Sequence, residues 1–324
     1  RAKVLLFPGL CNFVLCNPKN CSTFVRFYLH SMSQSKSIGY LFGILAAGFY
    51  GLNPMFALPL YHDGMDSLSV LFWRYALSIP MLAILMLVQR VDFRLSKSET
   101  LQLALLGAVM ALSSLLLYLS YNYMDAGLAS TILFVYPIVT AVLMAFVFHE
   151  RVAPLVWGCL ALASAGIGVL CEINGTAHVS ITGVLLSLGS ALTYAVYLVF
   201  INKGHITHMP PAKVTFFVLF FGVLLLGVML LFEGHLTVPK GLHWGYSAGA
   251  ALFPTALSLV LTTLAIQTIG STQTAILGAM EPITAVLVGL TLFGEHLTVR
   301  SIIGIVLIVI AVTIVVARKQ PAKT

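Results

Sequence analysis

The chain has 324 residues, of which 60% are hydrophobic and only 8% charged, with a mean hydropathy of +1.02. A soluble globular domain carries about 25% charged residues, so this composition excludes one and specifies an integral membrane protein. The formal net charge is +7, but nearly all cations flank apolar runs instead of interleaving with aromatics, which excludes a nucleic-acid surface and makes them topology signals.

In chain order, residues 1–37 form an N-terminal arm, expected to be disordered or an upstream extension, since Met32 immediately precedes the first long apolar run. Its apolar piece, VLLFPGLCNFVLC, is too short and too broken by Pro8 to cross a bilayer. Cys11, Cys16 and Cys21 are each separated by four residues, which fits no common zinc spacing, and Cys159 and Cys171 lie in apolar helices where Cys acts as a small hydrophobe. No metal or cofactor is expected. Ten runs are long enough to span a hydrocarbon core of about 30 Å: residues 38–58, 68–88, 101–121, 127–148, 153–172, 181–201, 214–232, 245–267, 272–293 and 299–317. The connections are short, which leaves function to the bundle interior. With the N terminus inside, the inner segments collect fourteen of the Lys and Arg residues and the outer ones only Lys240 and Arg300, so both termini and the tail at 318–324 are expected to be cytoplasmic.

The chain also repeats itself. Residues 137–150 read PIVTAVLMAFVFHE and residues 282–295 read PITAVLVGLTLFGE, each a proline, twelve residues and a glutamate, at an offset of 145. At that offset Tyr118 and Asn122 fall on Thr263 and Gln267; at 144, Gly39, Tyr50 and Phe56 fall on Gly183, Tyr194 and Phe200. Each copy, 38–172 and 181–317, holds five spans, an odd number, so the second crosses the membrane in the opposite sense. The expected fold is therefore an all-α membrane protein of ten transmembrane helices in two inverted five-helix repeats, an architecture of secondary transporters with the site near the midplane.

The motifs FWRYALS (residues 72–78), DAGLASTILFVYPIVTAVLMAFVFHERV (125–152) and AILGAMEPITAVLVGLTLFGEHLT (275–298) resemble those of the drug/metabolite transporter superfamily, specifically its EamA-type members, over residues 38–317. The resemblance implies a two-repeat carrier of small metabolites, with a central cavity between the halves and the fifth and tenth helices peripheral.

Glu281 stands nine or ten residues into its span, close to the membrane centre. An ionisable group there costs roughly 3 kcal/mol on insertion scales and normally faces the bundle interior. Pro282 beside it breaks the helix, as Pro137 does in the other copy, where the neighbour is Tyr136. Arg74 has two readings: snorkelling to the outer interface, or anchoring a carboxylate or phosphate in the cavity. Tyr50 with Asn53, Tyr194 with Tyr197, Tyr118 with Asn122, and Thr263 with Gln267 share helix faces, either as one aromatic and amide lining or as ordinary interhelical hydrogen bonds. Pro54 beside Asn53, and Pro254, mark further breaks. Glu150 and Glu295 fall at helix boundaries on opposite membrane faces and read as structural caps or anchors to the next helix; Asn174, Gly175 and Thr176 form either a glycosylation sequon or a turn.

No phosphate-binding loop, HExxH or intramembrane aspartate is present, so a pump and an intramembrane protease are disfavoured and no enzyme activity is expected. Export of amino acids or similar small metabolites is expected through the resemblance, with proton coupling open, as a monomer or homodimer in a bacterial inner membrane. The alternatives are a carrier of phosphorylated or nucleotide sugars, and a binding or accessory protein that does not transport.

Overall fold

A computed structural model describes residues 36–123, 129, 132–147, 154–170, 181–203, 205–281 and 299–317, together with 283, 284, 287 and 291. Pro282, Glu150, Glu295, the 174–176 sequon, four of the five cysteines and the arm before residue 36 lie outside these residues. The regular secondary structure among the described residues is all helical, with no strand. The first half contains α1 (Lys36–Gly51), α2 (Asn53–His62), α3 (Ser67–Val88), α4 (Lys97–Ser120), α5 (Tyr136–Phe146) and α6 (Pro154–Leu170). The second contains α7 (Ile181–Lys203), α8 (Pro211–Glu233), α9 (His243–Ala251), a π-helical stretch (Leu252–Leu257), α10 (Ser258–Ile269), α11 (Ser271–Leu277) and α12 (Val299–Ala317). Among the described residues, six helical stretches are long and apolar enough to cross a membrane: Lys36–His62, Ser67–Val88, Lys97–Ser120, Ile181–Asn202, Pro211–Glu233 and His243–Ile269.

Local chemistry accounts for the ends. Asp66 caps α3 by accepting from the Ser69 N–H at 2.8 Å, and Ser96 with Glu99 closes a capping box on α4, each satisfying donors that a helix start leaves open. Gly234 ends α8 in the left-handed region at φ 75°, where a Cβ would be strained. Three interior breaks coincide with prolines. Pro54 follows the turn at Leu52 that parts α1 from α2, Pro137 occupies the first turn of α5, and Pro254 lies in the π-helical stretch between α9 and α10.

Packing is dominated by contacts between the halves, and the contacts are reciprocal: α4 lies on α7 as α10 lies on α1, α4 on α8 as α9 on α3, and α5 on α7 as α11 on α1. Three further pairs, α3 with α8, α6 with α12 and α5 with α11, join equivalent helices. The equivalent helices α3 and α8 run antiparallel. Near one end, the Trp73 indole donates to the Thr237 carbonyl and the Thr237 N–H to the Ser69 hydroxyl, each at 2.9 Å; near the other, Lys213 Nζ reaches the Arg94 carbonyl at 2.6 Å. Gly107 lets α4 and α8 touch backbone to backbone, since a Cβ there would lie 2.6 Å from the Val218 carbonyl oxygen. Ser113 and Ser190 exchange hydroxyl-to-carbonyl hydrogen bonds of 3.0 and 2.7 Å across α4 and α7.

Candidate functional site

α1, α5, α7, α10 and α11 converge on one cavity, lined by Tyr50, Tyr136, Tyr194, Ser258, Thr262, Thr274, Gly278 and Glu281 among others. Gly43, Ala46 and Ala47 supply its α1 wall, one face of a helix with little side chain to fill the gap. The space open to a water-sized sphere is about 20 Å³, enough for one water or so. In this conformation the cavity is closed to a metabolite. Tyr50 and Tyr194, equivalent by the 144-residue offset, stack with ring centres 6.1 Å apart and planes 16° from parallel. Tyr136 meets Tyr194 edge-on at 4.8 Å. Its hydroxyl rests against the Cα of Gly278, in space that any side chain at 278 would occupy. Glu281, the 145-offset equivalent of Tyr136, is half-buried at the same cavity, and no hydrogen bond reaches its carboxylate among the described residues.

Arg74 does not snorkel; it is 1% exposed. Its Nε donates to the Thr255 hydroxyl at 2.5 Å, Nη1 to Asn53 Oδ1 at 3.0 Å and to the Tyr118 hydroxyl at 2.9 Å, and Nη2 to the Pro254 carbonyl at 3.2 Å. Tyr118 in turn donates to Asn53 Oδ1 at 2.7 Å. Every acceptor is neutral. The guanidinium carbon also lies 5.8 Å from the Tyr50 ring centre and 5.6 Å from that of Tyr118. Arg74 is therefore held behind Tyr50, whose ring lines the cavity.

The structure separates the expected lining into layers. Tyr50, Tyr136, Tyr194 and Glu281 meet at the cavity, whereas Asn53, Tyr118 and Arg74 form the network behind it. Gln267 is elsewhere, donating to the Met209 carbonyl at 2.8 Å, and Asn122 donates to the Ser67 hydroxyl at 3.2 Å. Their helix faces were legible, but depth along the helix decided their partners. Pro54, Pro137 and Pro254 mark real breaks, and the turn at Gly278 and Ala279 falls 144 residues after the turn at Phe134 and Val135, within one residue of the offset of 145 in this pair of spans. Sequence reasoning missed Thr255, Ser258, Thr262, Thr274 and Gly278. Thr255 adjoins Pro254, whose break makes the local carbonyls available; Ser258 and Thr262 are four apart on one face, a signal like those used for the tyrosine pairs. At the rim of α3, Asp66, Glu233 and His235 bring ligand-type atoms within 4.8 Å of one another, but the Asp66 oxygens already accept from Ser69 N–H and the Thr237 hydroxyl.

This fold and cavity define a membrane transporter. The family model described as the EamA-like transporter family matches residues 37–171 and 181–317, and the chain belongs to that family. It is 30% identical over 229 residues to an uncharacterized transporter of Synechocystis, sll1319, covering 67% of each chain. It is 26% identical over 223 residues to the threonine/homoserine exporter RhtA of Escherichia coli, covering 67% of this chain and 72% of RhtA. A crystal structure 15% identical in sequence superposes with a TM-score of 0.74, covering 86% of this chain and 96% of the other.

Proposed function

We propose that the protein is a secondary transporter that exports amino acids or closely similar small metabolites by alternating access. The observation that carries this reading is the position of Glu281: a half-buried carboxylate without a hydrogen-bond partner among the described residues, at a nearly closed cavity where the equivalent tyrosines Tyr50 and Tyr194 stack. Ten spans in two inverted five-helix repeats, 38–172 and 181–317, explain why the halves contact each other reciprocally and why α3 and α8 are antiparallel. Rocking of one half against the other then opens the cavity alternately to the two faces. The breaks at Pro54, Pro137 and Pro254 give the helices beside the cavity places to bend. Glu281 binds the substrate ammonium or carries a coupling proton, and Tyr136 closes the cavity over Gly278. The excess of Lys and Arg on one side puts both termini in the cytoplasm of a bacterial cell. The likeness to RhtA, an exporter of threonine and homoserine, directs the substrate toward amino acids. A phosphorylated sugar, by contrast, would meet Glu281 and a single buried cation, Arg74, among the described residues.

Counterflow in proteoliposomes loaded with a panel of amino acids, run at several pH values, tests the reading. Net transport should follow the proton gradient, and Glu281→Gln should lose that dependence. PH dependence unchanged in Glu281→Gln removes the proton role, and a protein that binds but moves none of the panel removes transport.

A further inference from the structure

A lone guanidinium surrounded by neutral acceptors is an unusual thing to bury. Arg74 is 1% exposed, and among the described residues no carboxylate lies within ion-pair distance of it. A buried charge is ordinarily compensated by an opposite one, because dipoles alone only partly replace its hydration. Its four hydrogen bonds also leave unused capacity. One Nη2 hydrogen has no partner among the described residues, and the neighbouring Asn53 Nδ2, fully buried, has none either. The network is thus rich in donors and short of acceptors, the composition of an anion site.

Its position is the second observation. The same Tyr50 ring that lines the Glu281 cavity lies 5.8 Å from the Arg74 guanidinium carbon. We propose that Arg74, with Asn53 beside it, is the carboxylate-binding half of the substrate site, which Tyr50 covers in this conformation and uncovers by swinging aside. The site then presents a carboxylate acceptor at Glu281 and a guanidinium donor at Arg74, with one aromatic ring between them. The ligand that satisfies both at once is a zwitterion with adjacent ammonium and carboxylate groups. A simple amine would leave Arg74 uncompensated, and an organic acid would leave Glu281 without its cation. The carboxylate accepts from the unused Nη2 hydrogen and from Asn53 Nδ2, and at Nη2 it competes with the Pro254 carbonyl of the other half, so binding loosens a contact between the halves that holds the closed cavity.

This inference rests on the amino-acid reading above, and the experiment separates the two. Radiolabelled threonine counterflow is measured in wild-type proteoliposomes with unlabelled competitors: threonine, threonine amide, which lacks the carboxylate charge, and 2,3-dihydroxybutyrate, which lacks the ammonium. Threonine should compete about tenfold or more better than its amide, the scale of a lost charge-assisted hydrogen bond. Arg74→Lys and Arg74→Gln should shrink the acid-to-amide ratio toward one while leaving the penalty for the missing ammonium in place. Equal competition by acid and amide in the wild-type protein overturns the proposal without any variant, so a misfolded variant does not shelter it. A variant that slows both compounds alike, with the ratio unchanged, also overturns it and leaves Arg74 structural. If threonine and the rest of the amino-acid panel fail to move through the wild-type protein, the amino-acid reading falls and this one falls with it.

Discussion

Replacing Tyr118 by Phe removes one oxygen from a site where nothing else need move. The hydroxyl is 0% exposed, accepts from Arg74 Nη1 at 2.9 Å and donates to Asn53 Oδ1 at 2.7 Å. The ring remains, and with it the guanidinium contact at 5.6 Å. A hydrogen bond to a charged group contributes about 1.5–3 kcal/mol, and a neutral interhelical one in a membrane about 0.6 kcal/mol. The expected destabilisation is therefore about 2–3.5 kcal/mol. Tyr75→Phe is the control: its hydroxyl is equally buried and bonds the Ser114 hydroxyl at 2.8 Å, a neutral partner, so the loss should be nearer 1 kcal/mol. Equilibrium unfolding of the purified protein in mixed micelles, with an Asn53→Ala double-mutant cycle, reads both. A Tyr118→Phe effect below about 0.5 kcal/mol, or one no larger than that of Tyr75→Phe, would refute the claim that Tyr118 carries part of a buried charge.

Gly278→Ala places a methyl in the space of the Tyr136 hydroxyl and 2.8 Å from the Ala275 carbonyl oxygen. It should cost about 1–3 kcal/mol by overpacking and lower counterflow sharply, with a monodisperse peak on size exclusion showing that the fold persists. Asp66 gives a stability prediction outside the bilayer. Burial pushes its carboxyl up, but hydrogen bonds from the Ser69 and Thr237 side chains and the Ser69 N–H outweigh that and hold it below its usual 3.8. A group depressed on folding stabilises above its unfolded value and loses that contribution as pH falls through the folded one. The melting temperature of the wild-type protein should therefore fall more steeply than that of Asp66→Asn between about pH 5 and pH 3; parallel curves would show that the cap does not depend on charge.

Hydropathy, the Pro-x12-Glu repeat and the placement of cations were enough to specify a helical membrane protein made of two related halves, because a bilayer forces apolar length and internal backbone hydrogen bonding onto any chain that crosses it. The same logic located Pro54, Pro137 and Pro254 at helix breaks and marked Glu281 as an ionisable residue that needed an interior position. Helix periodicity placed Tyr118 and Asn122 on one face but carried no information about depth, so it did not distinguish the Arg74 network from the helix end at Ser67. The sequence likewise left Arg74 between two readings, since a long side chain on a span reaches an interface or a partner with equal ease. Tertiary packing decided that question. Thr255 and Pro254 belong to the other half of the chain, 181 and 180 residues away, and only their arrival beside α3 gives the guanidinium acceptors in the interior. Cavity size was also a tertiary outcome, because the Tyr136 hydroxyl and the bare Cα of Gly278 meet between helices whose separation no local pattern encodes.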